Sequence, residues 1–537
     1  MTPARWPTLL LCLVLMVSCG SNPPVQKVAR AKGGPPAYGD ALVTGSIGEP
    51  SNLIPTLASD SASFDVAGLV YNGLVRYDKN LKIEGDLAQS WEISPDGLVI
   101  TFHLRHGVKW HDGKPFTSHD VLYTYQVTID PKTPTAYSES FKQVKTAEAP
   151  DPYTFRVTYA KPYAPGLASW GMSVLPSHLL EGKDITKSPL SRHPVGTGPY
   201  IFKEWVPGTK LTLESNPDYW EGRPYISRYI YRIIPDASTM YMELKSGGVD
   251  EMGLSPVQYQ RQTNSPDFLA RFNKYRYPSF SYAYIGYNLR LPLFKDRRVR
   301  QAMTCAIDKQ EIIQGVLFGM GQIAHGPYKP GTWAYKPNIA DFPYDPARAR
   351  TLLAEAGWVM GKDGILVKDG KPFSFTVMTN QNDQRMKVAQ IVQQRLRKVG
   401  IDVKIRVMEW ASFITNFIDT GRFEAVILGW TVDQDPDIYD VWHSSKTGPK
   451  ELNFIHFKNA EVDRLLDEGR STFDVEKRKA CYWRIQDILA EEQPYTFLYV
   501  PDALPAVSAR FHGIEPAPAG ISYNLIKWYV PKAEQVY

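Results

Sequence analysis

Apolar residues recur along this chain with two distinct periods. Over 384–399 (QRMKVAQIVQQRLRKV), Val388, Ile391, Val392 and Leu396 fall on one stripe of a helix that Gly400 ends. The residues from Ile401 to Val407 then alternate as a strand does, and another strand is predicted at 373–378. Strand, helix and strand of these lengths predict a βαβ unit within a partly parallel sheet. Further helices are marked by their ends. Asp345 caps 346–356, which starts on Pro346 and stops at Gly357. Asp308 and Glu311 form a capping box for a helix running through Val316, and Asp236 caps 237–246 before Gly247. Residues 474–491 make another amphipathic helix. Alternation predicts strands at 97–105, 153–159 and 210–214, with turns at Asp96-Gly97, Asp112-Gly113 and Asp369-Gly370. The pattern is α/β with several subdomains and no fixed-period repeat.

The only long apolar run is 8–17 (TLLLCLVLMV), preceded by Arg5. It is shorter than the ~20 residues a bilayer span needs and reads as a secretory signal. It ends in Met16-Val17-Ser18-Cys19-Gly20, which resembles a bacterial lipobox, although Met16 stands where leucine is usual. That resemblance implies cleavage after residue 18 and a lipid on Cys19, with Gly20 favouring the outer membrane in a Gram-negative host; an ordinary signal peptide is the alternative. Residues 19–39 read as a Pro/Gly/Lys-rich tether. The expected location is extracytoplasmic and membrane-anchored.

Composition narrows the classes. The 537 residues are 43% hydrophobic and 22% charged, which fits a globular chain with large cores. A formal charge of +5 without basic runs argues against nucleic acid as a partner. Aromatics at 12% suit large concave sites as well as cores. Beyond Cys12 and Cys19 lie Cys305 and Cys481. Cys481 shares a helical stripe with Ile485, Ile488 and Leu489, so burial is expected; two free core thiols are the reading, and a Cys305–Cys481 disulfide the alternative. No short motif of a serine hydrolase, zinc protease, phosphate loop or complete dinucleotide loop is present, so the chain is not read as an enzyme. His103, His106, His111 and His119 are read as surface and turn residues. Asp433, Asp435 and Asp437 begin like a calcium loop, but Ile438 and Ser444 replace its glycine and glutamate. No metal or cofactor is expected.

The run Leu87-Ala88-Gln89-Ser90-Trp91 through Ser94-Pro95-Asp96-Gly97 to Val108-Lys109-Trp110-His111-Asp112-Gly113 resembles the family 5 extracellular solute-binding proteins of ABC importers. Gly196-Thr197-Gly198-Pro199-Tyr200, Asn216-Pro217-Asp218-Tyr219-Trp220, Phe294-Lys295-Asp296, Arg300-Gln301-Ala302, Ala306-Ile307-Asp308 and Gly429-Trp430-Thr431-Val432-Asp433 follow in family order. The resemblance implies a periplasmic-binding-protein type II fold of two lobes plus an additional domain. Lobe one would comprise 40–70, 205–285 and 500–537, the additional domain 71–204, and lobe two 286–499. A monomeric receptor would close on a peptide, or on another small solute such as a metal chelate or sugar, and deliver it to an ABC permease. A sensory or surface lipoprotein without transport is a further alternative.

The resemblance also implies ligand-contacting positions. Asp433 ends an apolar strand and corresponds to the aspartate that pairs with a peptide's α-ammonium; Asp435 is its fallback. Trp430 is read as packing on a ligand side chain or as plugging the core, and the resemblance implies that Ser61, Ala62 and Ser63 meet the ligand's backbone. Trp410, Asn288, Tyr284 and Trp442 are further candidates. Dipeptide binders carry a carboxylate-clamping arginine just after the strand equivalent to 373–378. Here Arg385 comes later and opens a helix, so no clamp is assigned, which favours longer peptides or another solute.

Overall fold

The computed structural model describes residues 33–432 and 434–537. The apolar run, Cys19, most of the tether and Asp433 therefore lie outside the described residues.

Two seven-stranded sheets organise the chain. The first has the order Phe272–Lys274, Pro505–Ser508, Glu251–Gly253, Gly39–Ser46, Ile226–Ile233, Lys210–Ser215, Tyr200–Val206. The second has the order Tyr277–Pro278, Tyr495–Ala503, Ser281–Tyr287, Ala425–Thr431, Ser374–Asn380, Asp402–Met408, with Gly321–Ile323 also on Tyr495–Ala503. The chain crosses between them twice, after Lys274 and after Ala503, and the crossings are neighbours: Lys274 pairs with Ala506 on one side, Tyr277 with Ala503 on the other. A separate antiparallel sheet holds Ala88–Ile93, Val99–Leu104, Thr154–Tyr159 and Val144–Asp151.

The βαβ unit forms as its pattern dictates. Ser374–Asn380 and Asp402–Met408 run parallel in register from Ser374↔Asp402 to Asn380↔Met408. The intervening helix Asp383–Arg397 is capped by Asn382, whose side chain accepts from the Arg385 N–H, and buries Val388, Val392 and Leu396. Gly400, at φ +89°, turns the chain into the second strand. The helices Pro346–Glu355, Lys309–Gly315 and Ala237–Ser246 each carry the expected aspartate cap, and Val475–Glu492 is capped by Asp474, which the pattern places inside the helix. The strands Val99–Leu104, Thr154–Tyr159 and Lys210–Ser215 fall where alternation places them.

Cys481 departs from its expected burial. The buried face of Val475–Glu492 runs through Arg478, Tyr482, Ile485, Ile488 and Leu489. Cys481 lies on the flank of that stripe, half-exposed, its Sγ 4.0 Å from a Glu468 carboxylate oxygen. Cys305 is buried in a different core, and both thiols are free.

Candidate ligand cleft

A cleft of about 1550 Å³ opens between the two large sheets, with the four-stranded unit contributing to its wall. Its second-sheet wall is the C-terminal end of Ala425–Thr431, where clefts form in α/β sheets. This strand pairs fully with Ser281–Tyr287 on one side. On the other, its ladder with Ser374–Asn380 covers only Ala425 and Val426. Beyond that point Gly429, Trp430 and Thr431 present a strand edge to the cleft.

Trp430 lies on that wall, half-buried. Its Nε1 donates to the Tyr495 hydroxyl at 3.2 Å, and its ring lies nearly parallel to Tyr284 at 6.5 Å between centroids. Tyr284 and Trp442 touch the cleft lining but are core residues, both packed on Tyr495. Trp410 reaches across to the first lobe, where a methyl group at Gly48 would lie 3.3 Å from its Cδ1. The Trp410 indole N–H is buried without a partner among the described residues.

Ser61 faces the cleft, but Ala62 and Ser63 do not. They occupy the inward face of the helix Ser61–Val70. Ser63 is 0% exposed and donates both its N–H, at 3.0 Å, and its hydroxyl, at 2.7 Å, to the Asp60 carboxylate. The Asp60 cap thus takes up the Ser63 N–H and hydroxyl, and the Ala62 side chain is turned inward. Asn288 is also displaced from its expected role. It caps the far end of the second sheet, donating to the Phe423 carbonyl at 2.8 Å, and lines a separate hollow.

The acidic loop after Thr431 is largely neutralised from within the protein. Asp435 lines the cleft but accepts from Arg478 Nη2 at 2.9 and 3.1 Å. Asp437 pairs with Arg470 at 2.9 Å, and Asp440 with Lys446 at 3.5 Å. Burial nevertheless pushes the Asp440 carboxyl up to about 6. On the first-lobe wall, Asp65 is pushed up to about 6 by desolvation and then by Asp60. Asp419, across the cleft, is also pushed up to about 6 by burial, opposed by Lys450 and assisted by Asp60.

Arg385 is the cleft residue whose side-chain role the sequence did not reveal. It sits in the first turn of Asp383–Arg397, its Nη1 donating to Asn380 Oδ1 at 2.8 Å. Its guanidinium lies 5.9 Å from the Trp410 ring, and Nη2 would meet a methyl group at Gly429 at 3.4 Å. No carboxylate pairs with it among the described residues, and burial lowers its affinity for the proton. Among the described residues the cleft therefore sets a cation without a carboxylate partner beside an open strand edge.

Residues 82–451 match the family model of the bacterial extracellular solute-binding proteins, family 5 Middle. The chain belongs to this family. This family 5 receptor is 35% identical over 538 residues to the oligopeptide-binding protein AppA of Bacillus subtilis, covering 98% of each chain. The AppA structure in complex with a nonapeptide superposes with a TM-score of 0.88, covering 93% of this chain and 100% of AppA. NikZ of Campylobacter jejuni in complex with Ni(L-His) superposes with a TM-score of 0.83 at 30% identity, covering 91% and 99%. The protein is thus an extracytoplasmic solute receptor with the lobed α/β architecture of that family, and not an enzyme. No helix among the described residues is long and apolar enough to cross a membrane.

Proposed function

We propose that this receptor captures peptides between two closing lobes and delivers them to an ABC-type permease, held at the membrane by a lipid on Cys19 and acting as a monomer. The sheet crossings move the expected boundaries, because Tyr277–Pro278, Ser281–Tyr287 and all of Tyr495–Ala503 lie in the second sheet and Tyr200–Val206 in the first: lobe two is 277–503, lobe one 40–70, 200–274 and 504–537, and the additional domain 71–199. The hinge is the pair of adjacent crossings after Lys274 and Ala503.

The observation that carries the peptide reading is the open edge of Gly429–Thr431 on a cleft of about 1550 Å³. An extended peptide can add to such an edge as a strand. Each backbone bond contributes only ~1 kcal/mol net, so several together bind peptides of varied sequence. The cleft also exceeds the ~300–1,000 Å³ of ordinary small-molecule pockets. AppA's complex with a nonapeptide supports the same reading. At the acidic loop, Asp433 meets the ligand's α-ammonium, because Asp435 already has Arg478.

A small anionic chelate is the second reading. NikZ with Ni(L-His) favours it, and the unpaired Arg385 would receive its carboxylate. Native mass spectrometry of the protein taken from cells separates the two: a heterogeneous series of peptide masses is expected, and a single non-peptide mass overturns the peptide reading. Asp433→Ala should weaken free peptides more than ~tenfold, and N-acetylated peptides should bind the unaltered protein poorly. Equal affinity for free and acetylated peptides removes the ammonium role.

A further inference from the structure

A second hollow, of about 630 Å³, lies at the end of the second sheet opposite the cleft. Asn288, 2% exposed, is its frame. The Asn288 amide donates to the carbonyls of Gly421, at 3.3 Å, and Phe423, at 2.8 Å, while its Oδ1 accepts from Arg290 Nε at 3.2 Å. Arg290 Nη2 in turn donates to the Gly421 carbonyl at 2.6 Å. Gly421 permits this approach: its φ is +63°, and a methyl group there would lie 2.7 Å from Arg290 Nη2.

Two more guanidinium groups share the hollow. Arg422 Nε donates to Thr420 Oγ1 at 3.2 Å, and Arg406 lies over the Phe417 ring at 4.9 Å. All three arginines are thus placed by neutral partners, and none has a carboxylate within ion-pair distance among the described residues. The acid of the lining, Glu424, accepts the Thr376 N–H at 2.8 Å. Leu291, Met378 and Phe423 line the hollow beside the three arginines, which are themselves exposed to solvent. His456 reports the local positive charge: it is held below its ordinary proton affinity, first by burial and then by Arg290 and Lys458.

We infer that this hollow is an anion-binding site for a phosphate-type oxyanion, separate from the ligand cleft. Three arginines against one glutamate line the hollow, so it carries excess positive charge that a bound oxyanion would offset. The guanidinium fork matches such an anion bidentately, and among the described residues Arg422 and Arg406 have most of their N–H groups without a partner. The anion can be free phosphate or the phosphate of a lipid headgroup. The site stands whatever solute the cleft takes.

The test uses the full protein, with calorimetry of inorganic phosphate and pyrophosphate at constant ionic strength and sedimentation with phosphatidylglycerol vesicles. Saturable binding of at least one probe is expected, weakened ~tenfold or more by Arg290→Gln or Arg406→Gln and unchanged by Arg397→Gln. The His456 ring, followed by NMR, should titrate at higher pH when the anion is bound. Phosphate binding without vesicle capture assigns a free anion; vesicle capture without phosphate binding assigns a headgroup. Binding of neither probe, or equal binding by an Arg290→Gln/Arg406→Gln double variant that still melts cooperatively, overturns the site.

Discussion

Arg470 Nη2 donates to the Tyr163 hydroxyl at 2.8 Å and so joins the second lobe to the four-stranded unit across the cleft wall. The Arg470 carbonyl also accepts the Ala164 N–H at 2.8 Å, while Arg470 Nε holds Asp437 at 2.9 Å. One arginine thus ties the acidic loop to the seam between domains. Tyr163→Phe removes a buried bond to a charged group, worth ~1.5–3 kcal/mol, and leaves the Asp437 pair in place. Faster amide exchange is expected over 436–440 and 163–166, measured by mass spectrometry. Unchanged exchange in both segments would show that the seam does not hold the loop.

Arg385 gives a prediction about ligand chemistry. Arg385→Met should weaken ligands with a free carboxylate by ~tenfold to a hundredfold while leaving their C-terminal amides nearly unaffected. Titration calorimetry on matched acid and amide pairs decides it; an equal loss for both would mean that Arg385 only shapes the wall.

Glu251 bears on pH dependence. Burial, then Asp65 and Asp250, push its carboxyl up to about 7. The folded state therefore holds this proton more tightly than the unfolded chain does. Its ionisation penalises the fold, so stability falls as pH rises from the ordinary carboxylate range through about 7, and Asp65 contributes with the same sign. Urea midpoints across that window should decline in the unaltered protein and flatten in Glu251→Gln, which should be the more stable of the two above neutrality.

The Gly196-Thr197-Gly198 segment packs against the end of the helix Ser61–Val70. A methyl group at Gly196 would lie 1.8 Å from the Val70 carbonyl oxygen, and one at Gly198 2.6 Å from that of Leu69. Gly198 also donates its N–H to Val70 at 2.8 Å. Gly196→Ala should cost ~3 kcal/mol, read as a lower urea midpoint with an unchanged slope.

Local features were legible in the sequence because local chemistry makes them. The aspartate caps before Pro346, Lys309 and Ala237, and the parallel strands around Asp383–Arg397, follow from spacing alone. The side-chain ends of the site were less legible. Whether Ser63 meets a ligand or Asp60 depends on which helix face turns inward. That Asp435 already has a cation rests on Arg478, 43 positions away. Arg385 could be read as a helix opener, but its place beside Gly429 comes from the packing of that helix on the sheet. Asn288 shows the same limit: a buried amide at a strand end frames whichever hollow the tertiary fold puts there.

The adjacency of the two crossings has an architectural consequence. Residues 277–503 leave and re-enter the first sheet between neighbouring antiparallel strands, Phe272–Lys274 and Pro505–Ser508. In covalent terms the second lobe is a single insertion with touching ends. A tight turn from Lys274 to Ala506 would close the first sheet without it, because these two residues are already paired neighbours.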